Sequence, residues 1–127
     1  MILGVGTDIV EIARIQQSLE RLGERFAKRI LTESEFEKFH SLNDTRAVAY
    51  LAKRFAAKEA AVKALGTGIA KGVSFQHFCV TNLPSGQPQL SVAAEISDRF
   101  SSELIWHVSL SDEQTFALAF VTLESKE

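Results

Sequence analysis

Two carboxylates set in apolar surroundings, Asp8 and Glu59, are the residues most able to do chemistry in this chain. Asp8 follows the run ILGVGT at 2 to 7, and Glu59 lies in an alanine-rich stretch from 46 to 65. Counting 100° per residue from Phe55 predicts an apolar stripe on that stretch, shared with Val48, Leu51, Ala52 and Val62. Glu59 falls at about 40° on the same count. Because an ionised carboxylate inside such a stripe is costly, Glu59 should have a cation, a lysine or a proton as its partner.

Each carboxylate also has a purely structural interpretation. Lys63 lies four residues after Glu59, in the favourable order for an ion pair within one helix. Asp8 precedes a helical pattern and could cap its N-terminus. A ligand site is favoured by Gly4 and Gly6, which share a strand face with Asp8 and leave room for a ligand to approach the backbone. The residues alone leave both interpretations open.

Two carboxylates from separate elements favour magnesium. This ion usually takes one or two protein carboxylates and completes its octahedron with water and phosphate oxygens. Three cations near Glu59 in sequence could hold the phosphates of a nucleotide-like substrate, although each alone is better explained as a solvated surface charge: Arg54, Lys58 and Lys63. The three histidines lack zinc-type spacing, and there is no GxxxxGK[ST] loop. The pattern therefore predicts magnesium-dependent phosphate chemistry.

Four segments have the pattern of helices. The first has apolar residues three and four apart from Ile12 to Leu22 and ends at Gly23. The second begins with a capping box of Thr32 and Glu35 and fades near His40. The third and longest should have Asp44 as its N-cap, run from 46 to 65, and end at the glycines 66 and 68. A last helix is expected from 93 to 103.

Five strands complete the predicted fold. The first should run from Ile2 to about Thr7, with Asp8 at its end. Two hairpins are expected, one with strands at 75 to 82 and 90 to 92 around PSGQP, the other at 104 to 110 and 116 to 124 around SDEQ. Paired consecutive strands with helices between them indicate an α+β fold, with a long central helix on a mostly antiparallel sheet. We expect one domain over residues 1–127.

Composition excludes several classes of function. The chain has 127 residues, 46% of them hydrophobic, and a formal net charge of −2, which gives no general attraction to nucleic acid. No apolar run approaches the roughly 20 residues needed to span a bilayer, and the first residues lack the pattern of a secretory signal. A single cysteine, Cys79, excludes an internal disulfide. We therefore expect a cytoplasmic protein that binds neither nucleic acid nor membrane.

Five blocks of the sequence resemble a known family. GVGTDIVEIARI at 4 to 15 and RFAAKEAAVKALGTGI at 54 to 69 look like the signature blocks of the bacterial holo-acyl-carrier-protein synthases, which are small trimeric phosphopantetheinyl transferases. RILTESE at 29 to 35, SGQPQL at 85 to 90 and WHVSLSDE at 106 to 113 resemble the remaining blocks in the same order. The resemblance implies transfer of 4′-phosphopantetheine from coenzyme A to a serine of apo-acyl carrier protein. Magnesium would be required, 3′,5′-ADP released, and fatty acid biosynthesis supported.

The resemblance also implies roles for individual residues. Asp8 and Glu59 would bind the magnesium ion, and Lys63 would steady the phosphate and assist the departing 3′,5′-ADP. Coenzyme A would further contact Arg54, Lys58 and Gly66. In a homotrimer, part of the coenzyme A site would be contributed across a subunit interface. That part would include Ser85, Gly86, Pro88 and His107. An ordinary strand position beside Trp106 is an equally good interpretation of His107. The position of Asp112 is a histidine in some relatives, so no role is assigned to it.

A basic and polar helical face provides a candidate surface for the carrier. Residues on it recur three and four apart: Arg14, Gln17, Arg21, Arg25 and Lys28. Acyl carrier proteins are acidic, and the relatives bind them with this first helix. The alternative is a solvated face, and Gly23 argues against one straight helix carrying all five residues.

Two rival functions and two details stay open. A phosphohydrolase that cleaves a pyrophosphate with water could use the same carboxylates and lysines, and a non-catalytic module could bind the carrier while Glu59 pairs with Lys63. The serine proton could pass to Glu59, to Asp8 or to water held by the metal. The side chains of Phe116, Leu118 and Phe120 could equally cover a subunit interface or pack in the core of the same domain.

Overall fold

The computed structural model describes residues 1 to 126. Besides a short 3₁₀ helix at Phe75–His77, ten helices and strands follow one another along the described residues. They are β1 (Ile2–Glu11), α1 (Ile12–Leu22), α2 (Glu24–Ile30), α3 (Glu33–Ser41), α4 (Asp44–Leu65), β2 (Phe78–Asn82), β3 (Pro88–Val92), α5 (Ala94–Ser97), β4 (Leu104–Asp112) and β5 (Phe116–Ser125). Within the described part of the chain, no helix is long and apolar enough to cross a membrane.

The strands form two antiparallel sheets. The larger has the order β1-β5-β4, and β2 pairs with β3 in the smaller one. Both predicted hairpins are present, although β4 extends two residues beyond the predicted end. The predicted fold class, α+β with a mostly antiparallel sheet and one long helix, is confirmed.

Strand β1 is longer than predicted, which corrects the setting of Asp8. The strand continues to Glu11 because β5 pairs with it along its whole length, from Ile2 opposite Glu124 to Glu11 opposite Phe116. Asp8 lies inside the strand, opposite Ala119. The N-cap of α1 is Glu11, and no side chain caps that helix. The interpretation of Asp8 as an N-cap is therefore wrong.

The predicted helices are present with changed ends. The capping box of Thr32 and Glu35 begins α3 as expected. Asn43, not Asp44, is the N-cap of α4, because its side chain accepts a hydrogen bond from the Arg46 backbone amide at 3.0 Å. A helix that was not predicted, α2, follows a break at Gly23, whose φ of 68° interrupts the first helix. The last helix is much shorter than expected and ends at Ser97.

Helix α4 lies at the centre of the fold and is buried on nearly all sides. One hydrophobic cluster joins it to the large sheet through buried residues of β5, among them Ala119, Val121 and Leu123. A second cluster joins its first half to α1, α2 and α3. The single apolar stripe predicted for this helix is therefore too narrow, because the helix is covered from opposite sides.

Gly4 and Gly6 allow β1 to lie directly against the backbone of α4. A Cβ atom added to Gly4 would lie 1.8 Å from the carbonyl oxygen of Ala64, and one added to Gly6 would lie 1.9 Å from that of Ala60. Real Cβ atoms do not come within 3.0 Å of such atoms. The space beside these glycines is thus filled by the helix, and the prediction that they leave room for a ligand is wrong.

We expect Gly6→Ala to destabilise the fold by about 3 kcal/mol, because neither backbone can move away without disrupting the core. Urea unfolding followed by circular dichroism measures this change. Thr7→Ala, an exposed neighbour on the opposite face of β1, is the matched control and should change the free energy of unfolding by less than about 1 kcal/mol. A Gly6→Ala chain as stable as the control would contradict the close approach.

Candidate active site

Asp8 and Lys63 meet where β1 crosses α4. The Lys63 ammonium donates to Asp8 Oδ1 at 3.2 Å and to the backbone carbonyl of Thr7 at 2.9 Å. The Asp8 side chain is 16% exposed and that of Lys63 is 53% exposed. Because Asp8 shares a strand face with Gly4 and Gly6, the glycine contacts bring its carboxylate up to the helix.

Glu59 belongs to the same cluster. Burial raises the pKa of the Glu59 carboxyl, the negative charge of Asp8 raises it further, and Lys63 lowers it. The two carboxylates are therefore close enough to repel each other. Within residues 1 to 126, the Glu59 carboxylate forms no hydrogen bond and no ion pair, so the alternative interpretation of Glu59 as the partner of Lys63 is wrong.

The cluster has the composition of a cation site. Two mutually repelling carboxylates, one of them without a partner, gain when a cation lies between them. No group of three or more histidine, cysteine, aspartate or glutamate residues that could hold a metal occurs in the described chain. Two carboxylates with further ligands from outside the protein suit magnesium better than a metal held by a complete protein cage.

Arg54 lies on a different side of α4 from this cluster. Five residues separate it from Glu59, which places the two side chains about 140° apart around the helix. Its guanidinium stacks on the Tyr50 ring at 4.0 Å and donates from Nη2 to Asn82 Oδ1 at 2.8 Å. The residue is 5% exposed, and its Nε has no hydrogen-bond partner among the described residues. Arg54 therefore belongs with the β2–β3 hairpin.

Lys58 is completely buried in the described chain. Its Nζ donates to Glu35 Oε1 and to the backbone carbonyl of Ile30, both at 2.6 Å. Burial lowers the pKa of Lys58, and the opposing Glu35 carboxylate partly offsets this. The structure places this ammonium inside a paired network, away from any surface where coenzyme A could reach it directly. Contact with the ligand stays a prediction.

The remaining predicted coenzyme A residues lie on exposed segments. Ser85 and Gly86 form the turn between β2 and β3, Pro88 begins β3, and Gly66 is the left-handed C-cap of α4. A groove of about 360 Å³ between β3 and β4 is lined in part by Pro88 and His107. His107 also approaches Glu124 at 3.4 Å. Gly66 follows Lys63 by three residues at the end of the same helix, whereas Ser85, Gly86, Pro88 and His107 belong to the β2–β3 hairpin and β4.

The predicted carrier surface is exposed but divided between two helices. Arg14, Gln17 and Arg21 lie on α1, and Arg25 lies on α2 after the break at Gly23. The Arg14 side chain is 80% exposed, and its Nε is 3.8 Å from Glu11. The Lys28 ammonium instead lies over the Phe36 ring at 5.4 Å.

Three residues that contact Arg54 or Lys58 were not predicted to do so from the sequence: Glu35, Tyr50 and Asn82. The capping box identified Glu35 as a helix-start residue, but its contact with Lys58 is 23 positions distant in sequence. Asn82 contacts Arg54 from 28 positions away. No local pattern carries such information.

Comparisons with known proteins place the chain in a family. Residues 4–121 match the model of the 4′-phosphopantetheinyl transferase superfamily. A holo-[acyl-carrier-protein] synthase from Marinomonas sp. is 63% identical over 127 residues, covering 99% of this chain and all of the relative. Curated relatives from Shewanella oneidensis and Vibrio cholerae, 49% and 51% identical, have the same name.

Solved structures that are similar to this chain belong to proteins with the same name as these relatives. The holo-(acyl-carrier-protein) synthase of Bacillus anthracis, determined in complex with CoA (3′,5′-ADP), is 43% identical with a TM-score of 0.86, and the match covers 99% of both chains. The enzyme from Neisseria meningitidis is 41% identical with a TM-score of 0.88, over 98% of this chain and 100% of the other. The fold implied by the resemblance is thus confirmed. With a family match over residues 4–121 and a relative 63% identical over its whole length, the chain belongs to the 4′-phosphopantetheinyl transferase superfamily.

Proposed function

We propose that this chain transfers 4′-phosphopantetheine from coenzyme A to a serine of apo-acyl carrier protein, with release of 3′,5′-ADP. The observation that carries the proposal is the convergence of Asp8, Glu59 and Lys63 where β1 meets α4, in a chain of this family. Relatives of high identity are named for the same reaction. The whole chain, residues 1–127, acts as one transferase domain that would support fatty acid biosynthesis in the cytoplasm.

The chain's own residues suit this reaction. The serine oxygen attacks the pantetheine-side phosphorus, a new P–O bond forms, and the bond to the 3′,5′-ADP oxygen breaks. Lys63 can neutralise the charge that grows on the leaving phosphate, because its ammonium is half exposed and already held beside Asp8. The serine proton needs an acceptor, and the Glu59 and Asp8 carboxylates are the candidates that the chain offers beside Lys63.

Magnesium is the proposed cofactor, held by Asp8 and Glu59. The residues fit the ion, because the repulsion between these carboxylates and the unpaired state of Glu59 are both relieved by a divalent cation. When bound, such an ion withdraws charge from the pyrophosphate of coenzyme A. Lys63 completes the positive surroundings of that phosphate.

Intact mass spectrometry of apo-acyl carrier protein tests the reaction. After incubation with the chain, coenzyme A and magnesium, the carrier should gain the mass of phosphopantetheine, and a chelator should abolish the gain. Release of 3′,5′-ADP without carrier modification would support the phosphohydrolase. Carrier binding with neither product would support the non-catalytic module. Either result would overturn the proposal.

A homotrimer is proposed for the assembly, because one face of the large sheet is apolar and uncovered. Alternate residues of β5 face α4, so the others face outward, and the core alternative for Phe116, Leu118 and Phe120 is wrong. These three residues are 41% to 42% exposed, beside Val5 and Ile9 on β1. An apolar patch of this kind favours association. Active sites would then combine Asp8 and Glu59 of one chain with the β2–β3 hairpin of another.

The carrier is proposed to bind the exposed face of α1 and the start of α2. The opposite charge of an acidic partner complements Arg14, Arg21 and Arg25, while Gln17 can donate and accept hydrogen bonds between them. Few intramolecular contacts restrain these side chains, apart from the weak approach of Arg14 to Glu11.

Replacing Glu59 with glutamine should remove the stabilisation by magnesium. It should also remove one component of the pH dependence of the unfolding free energy. A carboxyl with a raised folded pKa binds its proton more tightly when folded. The unfolding free energy of the metal-free chain therefore falls as pH rises from about 4.5 through the folded pKa. Glu59→Gln should lack that fall. Magnesium should stabilise the original chain and not the variant.

Urea unfolding across this pH range, with chelator or with magnesium, measures both effects. Glu37→Gln, at an exposed position of α3, is the matched control and should keep both responses. Equal stabilisation of the Glu59→Gln chain by magnesium would exclude Glu59 from the metal site.

Reversing the charge of Arg14 should weaken use of the carrier while leaving coenzyme A binding intact. We expect Arg14→Glu to raise the KM for carrier about tenfold, with the Kd for coenzyme A within about twofold. Arg99→Glu, an equal charge reversal at an exposed position after α5, is the control. A similar loss of carrier and coenzyme A binding would remove the assignment of this surface.

An aspartate at position 118 should separate the proposed trimer, since a charge on the apolar sheet face cannot be buried without a partner. Leu118→Asp is expected to elute as single chains in size-exclusion chromatography with light scattering and to lose transfer activity. Ser101→Asp, at an exposed loop position, should do neither. An original chain that is monomeric and fully active would contradict the shared site.

A further inference from the structure

Asn82 bridges two parts of the chain that are both expected to contact coenzyme A. Its Oδ1 accepts from Arg54 Nη2 at 2.8 Å, and its Nδ2 donates to the backbone carbonyl of Gly86 at 3.0 Å. A guanidinium has donors only and a carbonyl oxygen accepts only, so the amide can satisfy both partners in one orientation alone. One side chain thereby fixes helix α4 and the β2–β3 turn relative to each other.

The bridge is the shortest polar contact of the Arg54 guanidinium with the hairpin. Arg54 is packed against Tyr50 on one side, and its second contact to the hairpin, Nη2 to the Val80 carbonyl, is long at 3.5 Å. The short bond to Asn82 is therefore the main polar restraint on its fork. Arg54 and Asn82 together line two cavities, while Arg54 Nε is buried without a partner among the described residues.

The hairpin itself does not depend on Asn82. Its strand β2 is anchored two residues earlier, where the Val80 amide donates to Glu35 Oε2 at 2.8 Å, and Glu35 is in turn paired with the buried Lys58. The turn closes through its own backbone, with Leu83 donating to Gln87 at 2.9 Å and Gly86 to Leu83 at 2.8 Å. Removing the Asn82 amide should loosen the bridge and leave the fold in place.

We infer that Asn82 is a positioning residue for coenzyme A, acting through Arg54 and the 83–87 turn. This inference rests on the proposed function, because coenzyme A is the ligand that Arg54, Ser85 and Gly86 are proposed to contact. Asn82 sets the distance between a cationic donor and the turn, so its loss reduces ground-state binding more than the chemical step.

The test measures coenzyme A binding by titration calorimetry and the kinetics of carrier modification. We expect Asn82→Ala to raise the Kd and KM for coenzyme A about tenfold, with kcat within about twofold. The KM for carrier should not change. Gln114→Ala, which removes a similar amide at an exposed position between β4 and β5, is the matched control and should behave like the original chain.

A double-mutant cycle separates positioning from a local loss of stability. If Asn82 acts through Arg54, then Asn82→Ala should reduce the affinity for coenzyme A much less in an Arg54→Met background than in the original chain. Thermal unfolding should show that the rise in melting temperature caused by a fixed coenzyme A concentration is smaller for Asn82→Ala, whatever its baseline stability.

The possible failures can be told apart. An Asn82→Ala chain that binds coenzyme A within twofold of the original, or that loses the same affinity in the Arg54→Met background, overturns the positioning role while the transfer reaction stands. A reduced kcat with an unchanged KM also overturns it. An original chain that binds no coenzyme A overturns the proposed function and this inference together.

Discussion

The close contact between β1 and α4 is the constraint on which the rest of the structure depends. It exists because Gly4 and Gly6 have no side chains, so the carbonyls of Ala60 and Ala64 occupy the positions where Cβ atoms would be. This contact fixes both the height and the rotation of the helix against the strand. Asp8, two residues beyond Gly6 on the same strand face, is then held beside Lys63 and near Glu59. The packing of small residues thus creates the charged cluster.

Helix α4 carries two charged networks with opposite physical characters. Around Lys58 every charge is buried and paired: Glu35 accepts from Lys58, from the Thr32 amide and from the Val80 amide. Such a network holds elements together, because any unpaired member would be costly. Around Glu59 the charges are partly exposed and incompletely paired, and burial with Asp8 raises the pKa of Glu59. Incomplete pairing costs stability in the free chain but leaves capacity for a ligand, which is the usual signature of a functional site.

The sequence predicted the features that depend on neighbouring residues. It did not predict the contacts between residues that are far apart in the chain. The capping box of α3, the turns of both hairpins and the end of α4 at Gly66 follow from neighbouring residues, and each was predicted. The anomaly of Glu59 was also visible, since helical periodicity alone places it among apolar residues. The roles of Gly4 and Gly6 were misjudged because periodicity gives the face of a strand but not what covers it. Lys58 was expected near a ligand because nothing in its surroundings indicates that Glu35, 23 positions earlier, neutralises it.

The separation between Arg54 and Glu59 has a consequence for assembly. Because these side chains leave α4 about 140° apart, one phosphate ligand cannot reach both from a single chain without crossing the helix. Arg54 is hydrogen-bonded to Asn82 of the β2–β3 hairpin, whereas the Glu59 carboxylate lies near Asp8 of β1, whose negative charge repels it. If the Arg54 side and the Glu59 side of the helix both serve one coenzyme A molecule, they must come from different chains. The uncovered apolar face of β1 and β5 lies on the opposite side of the large sheet from Asp8, so it offers a surface for association without covering the cluster that a second hairpin would have to reach.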